Sequence, residues 1–244
     1  NMDMVVGGIV PHHLVADEII QKLFTTIAKQ NPKTIVLISP DHWGVARSNF
    51  TTTAKNNFGD VPIDISLREK LVNEFPLDTK FNDELLSHEH GITGLVPYIK
   101  ELFPQTKIIP ITVSAITSEI TLDKISKFLS KTDDGVVIIA SSDFSHYLPS
   151  LAADLHDSTS IAVISAFDRS SFRNLEVDCW QCLYIVSSVS ELKNAKNSEL
   201  IGHSNSAKLS TSENTASETT SYVSLVFRKS GQNGVDSAAT LLSV

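Results

Sequence analysis

The sequence predicts a single-domain α/β protein in which a central, mainly parallel sheet is covered by helices on both faces. Short, continuously apolar segments rich in Val and Ile alternate along the chain with longer segments whose apolar residues recur every three or four positions. The short segments are typical of strands buried on both faces, and the longer ones are typical of amphipathic helices. Their alternation indicates a parallel sheet, because parallel strands are usually joined by a crossover helix.

The predicted elements follow one another along most of the chain. Strands are expected at residues 4–10, 34–38, 107–113, 136–140 and 221–227, and helices at residues 14–30, 92–102, 117–131, 150–167 and 179–191. The segment 50–86 is more mixed, and we expect an edge hairpin and a short helix there. Residues 204–220 are rich in Ser, Thr and Asn, which predicts an exposed loop.

Length and composition favour one domain. The chain has 244 residues, of which 41% are hydrophobic, and this is enough for a sizeable core in a single domain. No internal repeat and no linker divides the sequence. We therefore expect one domain over residues 1–244, with a core of about residues 5–228.

Charge and hydropathy exclude two classes of interaction. The formal net charge is -8, and an acidic chain lacks the Lys and Arg that neutralise phosphates in nucleic-acid binding. No apolar stretch approaches the roughly 18 residues of a membrane span, so no stable membrane insertion is expected. The compartment stays open: we favour the cytoplasm, and an extracytoplasmic location would follow if a targeting segment precedes Asn1.

Histidines follow three of the predicted central strands, at the point where each strand ends. His12 and His13 follow the first strand, His42 follows the second, and His146 follows the fourth. His90, just before a predicted helix, is placed to reach the same edge. In open parallel sheets, ligands bind in the crevice outside these strand ends. The sequence therefore predicts one shared site built from these loops.

A mononuclear metal site is the chemistry that this pattern favours. Imidazole is the commonest side-chain ligand for zinc, copper and iron. Two histidines and one anionic ligand leave coordination positions open for a substrate or for oxygen. The residues alone leave the anionic ligand open among Glu89, Asp41, Asp143 and the thiolate of Cys179. We expect one divalent or redox metal ion, and the residues by themselves leave iron, copper and zinc open.

The cysteines Cys179 and Cys182 form a Cys-x-x-Cys pair. Such a pair is half of a zinc motif or a redox motif. A structural zinc site needs a second pair of ligands at similar spacing, and the sequence contains none. The alternative is two unrelated thiols, one of them buried on a helix.

Several short motifs occur together in the order found in a known family. They are Gly-Ile-Val-Pro-His at 8–12, Ser-Pro-Asp-His at 39–42, Glu-His-Gly-Ile at 89–92 leading to Pro97-Tyr98, Ser-Asp-Phe-Ser-His at 142–146, and the region of Cys179. With these motifs the sequence resembles the Memo-like proteins, also called protein B of the AmmeMemoRadiSam system, from about residue 5 to residue 227. That family is similar in fold to class III extradiol ring-cleaving dioxygenases, so the resemblance implies a fold of this type.

The resemblance also implies roles for individual residues. The metal ligands that it implies are His12, His42 and Cys179. In the related dioxygenases the third ligand is a Glu and the metal is Fe(II). His146 would act as an acid and base outside the coordination sphere, with Asp143 orienting its ring. His90 would be a further residue of the pocket.

The chain departs from the family pattern in three places. Thr93 stands where the family often has a Glu, so a pocket carboxylate is expected to be missing. The adjacent His12 and His13 leave open which of the two faces the metal. The residues after the family cysteine are usually small or polar, whereas Trp180 and Cys182 occur here, and Cys182 stays an alternative ligand.

Two functions are expected from these observations. The first is a metal-dependent oxidoreductase, redox or oxygenase-like, acting on a small molecule that the sequence does not identify. The second is a non-catalytic module that binds metal or a peptide, with a protein or peptide as its partner. A thiolate in place of a carboxylate favours copper as much as iron, because thiolates select softer metals.

Overall fold

A seven-stranded sheet forms the centre of the fold in the part of the chain that the computed structural model describes, which is residues 4–44, 50–52, 57–210 and 218–229. The strands are β1 (Val5–Val10), β2 (Thr34–Pro40), β3 (Phe50–Thr52), β4 (Lys107–Val113), β5 (Val136–Ser141), β6 (Asn197–Asn205) and β7 (Ser221–Arg228). Their order across the sheet is β3-β4-β2-β5-β1-β7-β6.

The middle of the sheet is parallel and its two edges are antiparallel. The four neighbours β4, β2, β5 and β1 run parallel, whereas β3 pairs antiparallel with β4, and β7 and β6 extend the sheet antiparallel beyond β1. Every residue of β1, β2 and β5 is buried. Burial on both faces explains the nearly unbroken apolar character of these segments. The expected central, mainly parallel sheet is confirmed.

Helices cover both faces of this sheet. They are α1 (Asp17–Ala28), α2 (Ile65–Glu74), α3 (Asp83–His88), α4 (His90–Thr93), α5 (Val96–Leu102), α6 (Glu119–Ser130), α7 (Ser150–Ser165), α8 (Trp180–Leu192) and α9 (Ser206–Leu209). Short 3-10 turns occupy Leu14–Ala16 and Arg169–Asn174. Among the described residues, no helix combines the length and the apolar character that crossing a membrane requires.

Alternate side chains of each central strand enter separate cores on the two faces. In β5, Val137 and Ile139 join the core that includes residues of α1 and α5, whereas Ile138 and Ala140 join the core that includes residues of α6 and α8. Strand β2 divides its side chains in the same way. This division confirms the expected helix layer on each face.

The edge strand β6 is an element that the sequence does not predict. It pairs with β7, and its register shifts between Leu200 and Gly202. Several of its residues are exposed. An edge strand of this kind lacks both the continuous apolar run of a central strand and the strict alternation of a half-buried one. The local sequence therefore carries little strand signal.

Two further segments differ from the expectation. Residues 204–220 contain the end of β6 and the helix α9, and Thr219 is buried, so the exposed-loop prediction is wrong for these parts. Residues 211–217 of that predicted loop lie outside the described residues. The segment 50–86 contains β3 and two helices, α2 and α3, where one helix was expected. The predicted hairpin falls partly on residues 53–56, which also lie outside the described residues.

Helix α8 approaches strand β1 so closely that position 7 has no space for a side chain. A β-carbon at Gly7 would lie 2.7 Å from both Ser190 Oγ and Val186 Cγ2. Gly7→Ala should therefore lower the free energy of unfolding by about 1–3 kcal/mol, as overpacking a filled core does. The matched control is Gly8→Ala, because the nearest atom to a β-carbon there is 3.3 Å away. Urea unfolding measures both variants, and equal stabilities would contradict the close contact.

Candidate metal centre

The carboxyl ends of β1, β2 and β5 lie level with one another at one edge of the sheet. Val10 of β1 pairs with Ser141 of β5, and Ile38 of β2 pairs with Ala140 of β5. The segments that follow these strands therefore begin side by side, as expected for a ligand site of a parallel sheet. They border a cavity of about 520 Å³ lined by His12, His13, Leu14, His42, His90, Asp143, His146, Asp178 and Thr220.

Three histidines of this cavity lie close enough to share one cation. His12, His42 and His90 each offer a ring nitrogen within 4.8 Å of the others. His42 and His90 stack with ring centroids 4.0 Å apart, and His12 meets both rings edge-on at 5.0 Å. The structure thus brings together three of the histidines that the sequence singles out.

His12 is buried, and hydrogen bonds hold it from one side. Its Nδ1 lies 3.0 Å from Ser141 Oγ, and its backbone N–H donates to Asp143 Oδ1 at 3.0 Å. The other ring nitrogen, Nε2, faces Asp178 Oδ2 at 3.3 Å. Burial lowers the pKa of His12, although the charge of Asp178 opposes this. The ring therefore favours the neutral form that a metal requires.

His42 is oriented by the fully buried carboxylate of Glu89. Glu89 accepts the backbone N–H of His42 at 3.1 Å and lies 2.5 Å from the ring Nδ1. It also accepts the N–H of Gly91 at 3.0 Å, at the start of α4. Nε2 of His42 lies 3.8 Å from Asp178 Oδ2. Burial disfavours the charged ring, but the nearby carboxylate of Asp178 and the hydrogen-bonded carboxylate of Glu89 more than offset this and raise the pKa of His42 to about 9.

Asp178 is the residue whose carboxylate faces the Nε2 atoms of both rings, and the sequence does not single it out. Ser142 Oγ donates to its Oδ1 at 2.6 Å, and the backbone N–H of Asp143 donates to its Oδ2 at 3.2 Å. Burial opposes its ionisation, but the interaction with the His42 ring and the hydrogen bonds from Ser142 and the Asp143 N–H keep the pKa of Asp178 below the ordinary value. A negative charge therefore lies between the two imidazoles.

Asp143 and His146 line the same cavity. Asp143 is buried, and its direct contact is with His12, whose N–H it accepts. Burial, and then the negative charge of Asp178, raise the pKa of Asp143 to about 7. Asp143 can therefore exchange a proton near neutral pH. His146 is half-buried and follows it in the same segment.

The remaining sequence candidates lie beside the centre. Nδ1 of His13 is 2.6 Å from the hydroxyl of Tyr222, so His12 joins the three-histidine group and His13 does not. Asp41 accepts the N–H of Trp43 at 3.2 Å in the turn after β2. Glu89, which the sequence leaves open as a ligand, lies 2.5 Å from Nδ1 of His42 and orients that ring.

Comparison of the sequence with known families identifies the family to which the chain belongs. A family model described as Memo-like protein matches residues 3–226. The chain belongs to the Memo-like protein family. A MEMO1 family protein of Methanosarcina barkeri is 28% identical over 221 residues, which cover 84% of this chain and 81% of that protein. A MEMO1 family protein of Archaeoglobus fulgidus is 27% identical, and the matched region covers 80% of this chain and 76% of that protein.

Other relatives are longer than the region they share with this Memo-like protein. A MEMO1 family protein of Caldivirga maquilingensis is 28% identical over 182 residues, and these cover 70% of this chain but 64% of that protein. The crystal structure of the uncharacterised protein JW3007 of Escherichia coli K12 is similar with a TM-score of 0.61, covering 90% of this chain and 99% of the other. Sequence identity in that pair is 14%, so the likeness concerns the fold alone.

Cys179, the third ligand that the Memo-like resemblance implies, does not join the histidines. Its sulfur forms a disulfide with Cys182, and both residues are buried. Cys179 is the N-cap residue of α8, where its sulfur accepts the N–H of Cys182 at 3.1 Å. The thiolate, and not a disulfide sulfur, is the form that ligates metals. While the disulfide is formed, neither Cys179 nor the alternative Cys182 supplies a thiolate ligand. The interpretation of the pair as two unrelated thiols is wrong, because the two sulfurs are bonded to each other.

A second group of ligand-capable side chains is satisfied by protein partners. Asp154, Asp157 and His203 lie together, and the sequence assigns His203 no role. His203 Nε2 is 2.7 Å from Asp157, which also accepts the hydroxyl of Ser145 at 2.9 Å. Lys208 donates to both carboxylate oxygens of Asp154 at 2.8 and 2.6 Å. This network anchors the segment that precedes His146.

The metal-free protein should lose stability as pH rises, through His42. Its pKa is about 9 in the folded chain and 6.5 when unperturbed, so protonation favours the folded state. That contribution is fully present below about pH 6.5 and is lost as pH rises through about 9. Urea unfolding of chelator-treated protein from pH 6.5 to 9 should show that the free energy of unfolding of wild type falls toward that of His42→Gln. The exposed His88 supplies a matched control, His88→Gln; an advantage over His42→Gln that does not change with pH would contradict the assignment.

Proposed function

We propose that this protein holds one divalent or redox-active metal ion at His12 and His42 and works as a metal-dependent redox or oxygenase-like enzyme on a small molecule. One observation carries the proposal. The Nε2 atoms of both rings face the same carboxylate oxygen, while each Nδ1 is engaged on the other side, by Ser141 or Glu89.

The residues present fit a metal ion. Histidines that bind metal usually donate their other ring N–H to a hydroxyl, a carbonyl or a carboxylate, which fixes the tautomer and the ring orientation. His12 and His42 both have such a partner. His42 must release its ring proton to bind a cation, and the negative charges of Glu89 and Asp178 compensate the charge of an ion equally well.

The chain supplies groups for proton transfer around this point. When bound, an ion with open coordination positions supplies a Lewis acid or a redox centre. His146, half-buried in the cavity wall, is the group that we assign to accept or donate the substrate proton. Asp143, with its pKa of about 7, can hold or release a proton close by. His90, whose side chain is 55% exposed, is the histidine of the group most open to a substrate.

The cavity suits a small organic molecule. Its volume of about 520 Å³ is in the range of about 300–1,000 Å³ typical of ligand pockets. Its wall carries imidazoles and carboxylates together with the apolar side chain of Leu14. The metal itself, iron, copper or zinc, is part of the proposal and is determined by loading experiments.

A second candidate function is a non-catalytic module that binds metal or a peptide. Large apolar side chains are exposed next to the site: Leu14 is 55% exposed, Trp43 is 60% exposed and Tyr147 is 79% exposed. Exposed aromatic residues near a pocket are typical of interaction surfaces. Oxygen uptake separates this function from the first, because a binding module consumes none.

Metal analysis tests the site. Protein purified without a chelator or a histidine tag should carry one metal ion per chain, measured by mass spectrometry of the digested protein. His12→Ala and His42→Ala should each lose most of it, because each removes one of two imidazole ligands. His156→Ala, on the exposed side of α7, is the matched control. Metal contents equal to wild type in both site variants would overturn the assignment.

His146→Ala separates binding from catalysis. It should keep the metal and lose activity, because the residue is assigned to proton transfer and not to coordination. The measurement is oxygen uptake and product formation after anaerobic loading with Fe(II) or Cu(I) and addition of a panel of catechols. Loss of the metal would make His146 a ligand. Absence of turnover by wild type with every metal would favour the binding module.

A further inference from the structure

We propose that Asp178, and not Cys179, is the third ligand of this centre, so that the chain carries a site of two histidines and one carboxylate. This inference rests on the proposed function, since it presumes that His12 and His42 hold the ion. It replaces the sulfur ligand that the resemblance implies with a carboxylate. A carboxylate favours harder metals such as Fe(II) over softer ones such as Cu(I).

The distances from the Asp178 carboxylate to the two ring nitrogens suit a single ion. Asp178 Oδ2 is 3.3 Å from His12 Nε2 and 3.8 Å from His42 Nε2. Two ligand atoms that are each about 2.1 Å from a tetrahedral ion lie roughly 3.4 Å apart. The Asp178 oxygen is therefore already close to the separation from each ring nitrogen that a common ion imposes.

The Asp178 carboxylate is held in the orientation that a ligand needs. Oδ1 accepts the hydroxyl of Ser142 at 2.6 Å, and Oδ2 accepts the backbone N–H of Asp143 at 3.2 Å. The side chain is 14% exposed. Hydrogen bonds of this kind around a ligating carboxylate fix its position before the ion arrives.

The neighbouring sulfur is engaged elsewhere. Cys179 follows Asp178 directly, but it is the N-cap residue of helix α8 and forms a disulfide with Cys182. The loop before α8 thus directs a carboxylate into the cavity and a sulfur into the protein core, where Cys179 is 1% exposed. The family position is one residue away from the side chain that reaches the histidines.

The other candidates for a third ligand have different contacts. Glu89 binds Nδ1 of His42, on the side of the ring opposite Nε2. Asp143 Oδ2 is 3.7 Å from His12 Nε2, which is farther than Asp178. His90 stacks on His42 with ring centroids 4.0 Å apart, and its side chain is 55% exposed, which makes it the histidine of the group most open to solvent.

The chemical class of the metal follows from the donor set. Two imidazoles and a carboxylate with open positions are the ligand set of non-haem Fe(II) oxygenases, whereas a thiolate would select softer metals such as Cu(I). A carboxylate at Asp178 therefore favours Fe(II) over Cu(I) at this centre. Open positions on such a site accept an oxygen-donor substrate.

Binding of Co(II) to the chain of residues 1–244, with Fe(II) under anaerobic conditions as a second probe, tests the assignment. Chelator competition should show that Asp178→Ala lowers affinity by about 100-fold or more, beyond the effect of losing a supporting residue. Asp178→Asn keeps the shape of the side chain and an oxygen that can accept the Ser142 hydroxyl, but it removes the negative charge. This variant should also bind Co(II) weakly. Glu176→Gln is the matched control from the same loop, since Glu176 is exposed, and it should bind like wild type. Thermal unfolding of each apo variant checks that it folds.

The oxidation state of the cysteines gives a second, spectroscopic measurement. Cys179→Ser should bind Co(II) like wild type, and a thiol reductant should neither tighten binding nor produce a thiolate-to-Co(II) charge-transfer band. Retained affinity in both Asp178 variants, or tighter binding with that band after reduction, would overturn the proposal. If wild type binds neither ion, or if His12→Ala binds as tightly as wild type, the proposed function itself fails.

Discussion

Burial of the parallel strands on both faces is the constraint on which the rest of the structure depends. Strands β1, β2 and β5 carry side chains into two separate cores, so almost every position along them must be apolar. Polar and charged groups can therefore appear only where these strands end. Because the strands are parallel and in level register, their ends meet at one edge. The concentration of histidines and carboxylates at that edge is a consequence of how the core is filled.

Electrostatics then shapes the site. Three carboxylates, Glu89, Asp143 and Asp178, lie in or behind the wall of one cavity, and two of them contact His42. Placing several buried negative charges together is unfavourable unless a positive charge compensates them. Two raised pKa values reduce the net negative charge by favouring bound protons. The pKa of His42 rises to about 9, and the pKa of Asp143 rises to about 7. A metal cation would supply the same compensation, which is why the arrangement favours a cation site.

Membership of the Memo-like family determines less about chemistry than about architecture. A TM-score of 0.61 at 14% identity shows how far the fold persists while side chains change. Fold does not determine function, and the donor atoms of a site must be identified in each chain. Here the family position of the sulfur ligand holds a disulfide, and the carboxylate of the preceding residue faces the histidines. With Asp178 as the proposed ligand in place of Cys179, a shift of one residue would change the class of metal that the site favours.

The sequence by itself determined the central parallel sheet, the helices on both faces and the edge at which His12, His42, His90 and His146 gather. These follow from periodicity and from the strand ends, which are local properties. Only the tertiary structure decided that Asp178 faces the rings while Cys179 bonds to Cys182. Both residues lie in a loop, where no periodic pattern indicates which side chain turns inward. The edge strand β6 and the pairing of His203 with Asp157 were equally hidden, because they depend on contacts between residues distant in sequence.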